Sequence, residues 1–245
     1  MNMEPIYTQD YYIDTVDVDR FGRLKLSSIL YLAQEVAGKH CDILQANYEI
    51  LAAKGLFWAV TRHKIRINRL PCRGETLRIE TWPMPTTRVA YPRNMVIYDE
   101  AGQECIRLIS IWVLMDMEKR SMVLPGDSDV TVEGILRGGE LDTPLGIPAK
   151  DLKNTAGRRV CFTDLDRNGH MNNTRYLDWA SDLLTSEFHR QSIPKEISIC
   201  YFSEALEGQV LHLSWDFPQE GTLQIQGHRC LSEKPERVFS VRFLY

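Results

Sequence analysis

The sequence predicts an α+β protein made of two copies of one unit, a helix followed by an antiparallel meander. Three observations carry this. Asp17-Val18-Asp19-Arg20-Phe21-Gly22-Arg23-Leu24 aligns with Asp164-Leu165-Asp166-Arg167-Asn168-Gly169-His170-Met171 at a constant separation of 147 positions. The same separation runs on without a gap, laying Ile29, Leu32, Ala33 and Val36 over Tyr176, Trp179, Ala180 and Leu183, and both sets have the spacing of an apolar helix stripe. After each stripe the chain turns to β-branched and aromatic alternation bounded by turn residues.

Taken in order, the first copy predicts a D-x-D-R-x-G loop, a long amphipathic helix, and strands over Leu56 to Asn68, Thr76 to Pro83, Arg88 to Asp99 and Glu104 to Met117. Asp99-Glu100-Ala101-Gly102 has the composition of a hairpin turn. The second copy predicts the same loop and helix, then strands over Glu196 to Phe202, Val210 to Phe217, Thr222 to Ser232 and Arg237 to Tyr245. Its turns are Gln219-Glu220-Gly221 and Glu233-Lys234-Pro235. Between the copies, Gly126 to Lys150 is rich in Gly and Pro with little apolar periodicity, so the chain divides into residues 1–130, a linker 131–152 and residues 153–245. A helix with a wide apolar stripe must bury it, and a sheet curled around the helix does so economically; two such units side by side would let their sheets join.

Composition bounds the function. Lys and Arg number 29 against 33 Asp and Glu, a net charge of -4, which excludes a wholesale nucleic-acid binder. Apolar runs such as Leu108 to Met115 stop well short of the roughly 18 residues of a membrane span, and Met1 to Asp10 is polar, so a soluble, cytoplasmic protein is expected. Six scattered cysteines without a C-x-x-C pair suggest reduced thiols, with no metal site and no cofactor.

The two copies differ in polar content, and that difference locates the chemistry. Where the second has Asn168, His170, Asn172 and Asn173, the first has Phe21, Arg23, Lys25 and Leu26. Asp166 to Asn173 therefore concentrates a carboxylate, amides, an imidazole and a glycine just before a predicted helix start. Asp166 can attack a carbonyl carbon or activate a water, Asn168 and His170 can orient the reacting groups, and unpaired N–H groups near Gly169 and Met171 can hold an oxyanion. These residue types suit acyl transfer or hydrolysis. A calcium loop starts in the same way with Asp164-x-Asp166-x-Asn168-Gly169, but its twelfth position would be Arg175 where a bidentate Glu is required.

The run from Asp164 to Trp179 resembles the D-L-D-x-N-x-H-x-N-N-x-x-Y motif of fatty acyl-ACP thioesterases, and the likeness extends over nearly the whole chain, including Gly55-Leu56-Phe57-Trp58 and the degenerate first copy. The resemblance implies a tandem (double) hotdog fold, in which each repeat wraps a long helix in a curled antiparallel sheet. It implies hydrolysis of acyl carrier protein thioesters, with Asp166, Asn168 and His170 as catalytic residues and Glu204 joining them from Tyr201-Phe202-Ser203-Glu204-Ala205. Plant members carry a cysteine after that Glu, whereas here Ala205 closes off a papain-like mechanism. Either Asp166 or Glu204 is then the carboxylate that attacks or activates water. The family's acyl pocket lies mainly in the first repeat, where Phe21, Leu24, Trp58, Met84 and Trp112 are candidate walls. An acidic carrier protein needs a basic contact, for which Arg158, Arg159, Arg167, Arg175 and Lys195 are candidates. A homodimer is compatible with this reading, although the repeat supplies internally what a single hotdog obtains by pairing. A hotdog hydrolase acting on acyl-CoA and a non-catalytic acyl- or calcium-binding module are the rival readings.

Overall fold

The computed structural model describes residues 5–230 and 235–245. The chain divides into two compact units, Met1–Pro144 and Leu145–Tyr245, so the division falls inside the segment expected to be linker.

The first unit contains β1 (Tyr7–Tyr12), α1 (Leu26–Ile43), α2 (Tyr48–Ala53), β2 (Leu56–Ile67), β3 (Thr76–Pro83), β4 (Tyr91–Tyr98), β5 (Glu104–Asp116) and β6 (Met122–Val123). Its strands pair in the order β1-β3-β4-β5-β2, with β6 added to β5. The four expected strands form, the third starting at Tyr91 rather than Arg88. The sequence did not announce β1, whose Tyr-Thr-Gln-Asp-Tyr-Tyr alternates half-buried and exposed residues, nor α2, which starts at the Asn47 side-chain cap on Ile50 N–H. The stripe Ile29, Leu32, Ala33 and Val36 is buried as its spacing requires, and each large aliphatic side chain so buried contributes about 1.5–3 kcal/mol.

The second unit contains β7 (Asn154–Arg159), α3 (Arg175–Ser181), α4 (Ser186–Gln191), β8 (Glu196–Tyr201), β9 (Val210–Gln219), β10 (Thr222–Arg229) and β11 (Glu236–Leu244). Its order, β7-β9-β10-β11-β8, repeats that of the first unit strand for strand. The expected turn at Glu233-Lys234 and the end of the expected strand at Ser232 lie outside the described residues.

One expectation needs correction. The second copy was expected to hold a single long helix, but α3 ends after seven residues. The break is built locally. Ser181 Oγ donates back to Leu177 O, the Thr185 side chain caps a new helix by accepting from Phe188 N–H, and the His189 ring lies 2.9 Å from Ser181 O at the end of α3. Tyr176, Trp179 and Ala180 are buried as expected, while Leu183 lies beyond the helix.

Much of the Gly- and Pro-rich segment is tied down rather than loose. Along the first sheet, Ile135 N–H donates to Pro83 O, Arg137 reaches Glu80 and lies over Trp82, and Leu141 packs with Ile109 and Ile111. Gly134 is required there, because a Cβ would sit 2.0 Å from the Met84 carbonyl oxygen. In the second unit, Gln224 and Gln226 donate from β10 to Pro148 O and Lys150 O. No helix among the described residues is long and apolar enough to cross a membrane.

Candidate active site

The loop over residues 164–172 is a scaffold that the chain builds twice. In the second unit Asp166 N–H donates to His170 O, Gly169 N–H to Asp166 O, Asn172 N–H to Asp164 O and Met171 N–H to Ala205 O. In the first unit Asp19 N–H donates to Arg23 O, Gly22 N–H to Asp19 O, Lys25 N–H to Asp17 O and Leu24 N–H to Pro71 O. The glycines stand at φ +77° and +75°, the left-handed conformation this turn needs. The inner carboxylate has the same task in both: Asp166 Oδ1 accepts from Asn168 N–H and His170 N–H, as Asp19 Oδ1 does from Phe21 N–H and Arg23 N–H.

The copies diverge at the second oxygen. Asp19 Oδ2 is gripped by Arg23 through Nε and Nη2, at 3.2 and 3.0 Å. At that position the second copy has His170, whose Nε2 lies 3.3 Å from Glu204 Oε2. Among the described residues, Asp166 Oδ2 accepts no hydrogen bond. The first loop is thus closed upon itself, with the Phe21 ring held near the Arg20 and Arg23 guanidinium groups. In the second loop a half-buried carboxylate keeps one oxygen available beside an imidazole–carboxylate pair.

Glu204 comes from the segment after β8, and backbone pairing delivers it. His170 bridges Leu206, and Ala205 O accepts from Met171 N–H at 2.8 Å, so the residue next to Ala205 is carried to the His170 ring. In the first unit Arg23 bridges Cys72, which makes Leu70 the counterpart of Glu204. The Asn168 side chain is exposed and makes no hydrogen bond among the described residues, leaving its amide free to meet a ligand.

The oxyanion donors expected at Gly169 and Met171 are a correction. Both N–H groups already donate to backbone carbonyls, of Asp166 and Ala205, so neither is open to a substrate oxygen. Nor is the turn itself a helix start: α3 begins at Arg175, and Asn172 Oδ1 accepts from Thr174 N–H and its hydroxyl in the approach to it. Of the expected set, the Asn168 amide remains as a donor.

Two residues outside the expected set belong to this region. Tyr176 is buried, and burial pushes its phenol above the usual range; Arg229 opposes that shift while Glu204 and Asp166 add to it, which puts the ring within electrostatic reach of both carboxylates. Its place on the apolar stripe reads as core, so only the motif tyrosine signalled it. Arg229 donates through Nη1 to Glu204 O at 2.5 Å, and nothing in the sequence marks it.

The remaining expected residues scatter. Trp58 and Trp112 pack on one cluster of the first unit with Tyr91 and Leu114, Met84 packs on another with Ile109 and Val113, and Leu24 is core. Arg158 pairs with Asp182 at 2.6 Å and lies over Trp179, Arg159 donates to Gly208 O, and Arg175 pairs with Asp178 at 3.1 Å. Arg167 and Lys195 are exposed. Asp164, which would open a calcium loop, turns both oxygens to its own chain, toward Cys161 N–H and Trp179 Nε1. No group of three or more His, Cys, Asp and Glu among the described residues could hold a metal ion.

Comparison with known proteins gives the chain's relatives. The chain matches the family model described as acyl-ACP thioesterase N-terminal domain over residues 4–127, and that described as acyl-ACP thioesterase C-terminal domain over residues 149–240. It is 23% identical over 243 residues to an acyl-[acyl-carrier-protein] hydrolase of Cuphea viscosissima, covering 91% of this chain and 58% of that protein. An oleoyl-acyl carrier protein thioesterase of Coriandrum sativum is 28% identical over 213 residues, covering 78% of this chain and 54% of that one. The chain thus spans little more than half the length of these curated relatives. Among solved structures, an acyl-ACP thioesterase from Bacteroides thetaiotaomicron superposes with a TM-score of 0.87 at 22% identity, covering 98% of this chain and 97% of that one. The 12:0-ACP thioesterase of Umbellularia californica gives 0.83 at 17%, with coverage of 98% and 97%.

Proposed function

Because this chain belongs to the acyl-ACP thioesterase family, we propose that it hydrolyses the thioester of fatty acyl-[acyl carrier protein], releasing the fatty acid and the carrier thiol, on a tandem hotdog scaffold. The observation that carries this is the free Oδ2 of Asp166, beside the His170–Glu204 pair, where the first copy closes the same oxygen with Arg23. Asp166 acts on the thioester carbonyl by one of two routes: direct attack that expels the carrier thiolate and leaves a mixed anhydride for water to cleave, or deprotonation of a water that attacks the carbonyl and expels the thiolate; both routes need that oxygen. Glu204 orients the His170 ring, His170 helps position the reacting groups, and the Asn168 amide donates to the carbonyl oxygen as charge develops on it.

The first unit, whose loop lacks the imidazole and the amide, serves the acyl chain, with Trp58, Trp112 and Met84 as apolar walls. Arg158, Arg159, Arg167 and Arg175 form the carrier-protein contact. The intramolecular pairs of Arg158 and Arg175 are surface pairs worth about 0–1 kcal/mol each, weak enough for an acidic partner to replace. Thiol release from matched acyl-ACP and acyl-CoA series tests the reading. Preference for the carrier-bound series is expected, and reversal of charge at Arg158 and Arg159 should erase it. Equal rates on both series would favour an acyl-CoA hydrolase, and no cleavage of either would leave an acyl-binding module.

A further inference from the structure

The segment that presents Glu204 is held from two sides. The catalytic loop holds one side through Met171 N–H to Ala205 O. On the other, Arg229 at the end of β10 donates to Glu204 O at 2.5 Å, while its Nε and Nη2 grip the Glu236 carboxylate at the start of β11, at 2.9 and 3.0 Å. Gln209 joins the clamp, its Oε1 accepting from Leu206 N–H at 3.0 Å and lying 3.5 Å from Arg229 Nη1.

The first unit carries a related clamp without the catalytic acid. Glu75, the counterpart of Gln209, accepts from Cys72 N–H, and Arg69 binds Glu75 and Asp99. There the guanidinium comes from the loop itself, and among the described residues no hydrogen bond runs from it to a backbone carbonyl of the loop. In the second unit it comes from a strand and its target is the carbonyl of Glu204. Glu236 takes two of the guanidinium N–H groups, which keeps Arg229 from competing with His170 for the Glu204 carboxylate.

We propose that Arg229 is a positioning residue for the thioesterase reaction: clamped to Glu236, it fixes the Glu204 backbone so that the Glu204 carboxylate reaches His170. This rests on the function proposed above. A side chain whose backbone anchor shifts by about 1 Å can lose on the order of 100-fold in rate, so the effect should fall on kcat rather than on substrate binding.

The test is a double-mutant cycle on acyl-ACP and on acyl-pantetheine thioesters, using the full chain and following melting temperature alongside. Arg229→Gln should lower kcat at least ~10-fold with KM within about twofold, Arg229→Lys should restore part of the loss, and in a Glu204→Gln background the further loss should shrink to about twofold or less. Arg69→Gln, the matching change in the first unit, should lower the melting temperature and leave kcat unchanged. If Arg229→Gln does not fold, Glu236→Gln provides the second route, with a smaller kcat loss that also vanishes in the Glu204→Gln background. Equal losses in both backgrounds, or an unchanged kcat, would overturn the positioning role while leaving the thioesterase reading intact. A wild type that cleaves no thioester would remove that reading and the role of Arg229 with it.

Discussion

Asp19 and Asp166 occupy the same turn and accept the same two amide hydrogens, so the aspartate alone does not make a site. What differs is the residue four places on, Arg23 in one loop and His170 in the other. A first prediction follows at this scale. His170→Arg should let the new guanidinium fold back on Asp166 Oδ2 as Arg23 does on Asp19, abolishing thioester cleavage while the melting temperature stays within a few degrees of wild type. Retained cleavage would mean that the open oxygen is not the working group. Asp166, Asn168 and His170 were legible in the sequence because an internal copy showed which positions the scaffold needs and which it does not. Glu204 was legible only through the family motif, since a backbone bridge, which no spacing rule predicts, carries it to His170. Arg229 left no sequence signal, because its task is set by a carbonyl 25 positions away.

Among the elements, the apolar pattern found α1 by its helical stripe and eight strands by their apolar and β-branched runs, of which β4, β5 and β10 are buried on both faces. It missed β1 and β7, short strands of half-buried and exposed positions without large aliphatic residues. It ran the second helix through Leu183 because the apolar spacing continues there, although Thr185-Ser186-Glu187 has the composition of a fresh helix start. Thr185→Ala should therefore cost about 1 kcal/mol, read as a fall in the urea midpoint, and leave cleavage by the loop intact. The Gly- and Pro-rich segment looked like a tether because it lacks periodicity, yet it is docked by single hydrogen bonds, from the Ile135 backbone and from the Gln224 and Gln226 side chains. Gly134→Ala should cost about 1–3 kcal/mol by driving a methyl group into the Met84 carbonyl; an unchanged melting temperature would show that the segment is not held against β3.

At the scale of the whole molecule, stability should fall with acid in two stages. Burial pushes the His63 imidazole down to about 3, whereas an unfolded histidine titrates near about 6.5. Between those values the unfolded chain binds more protons, so stability declines as pH drops, by up to about 1.4 kcal/mol per pH unit. Arg69 holds the Glu75 carboxyl below its usual range, as Arg107 does that of Glu104. Their contribution is full above the unfolded carboxylate value of about 4.3 and is lost as pH falls through the lower folded values. Urea midpoints measured from pH 7 to 3 should show both stages, and His63→Gln should flatten the first alone. A wild-type midpoint that is level between pH 6.5 and 4.5 would contradict the buried neutral ring.

If the Asp166 loop carries the proposed hydrolysis and the matching Asp19 loop only folds, Asp166→Asn and Asp19→Asn should part company in thiol release from acyl-ACP. Asparagine preserves the Oδ1 acceptor that both turns need, so both proteins should fold. Asp166→Asn should lose on the order of 100-fold or more in kcat, while Asp19→Asn should cleave like wild type. Equal activity in the two variants, or a greater loss from Asp19→Asn, would contradict the account.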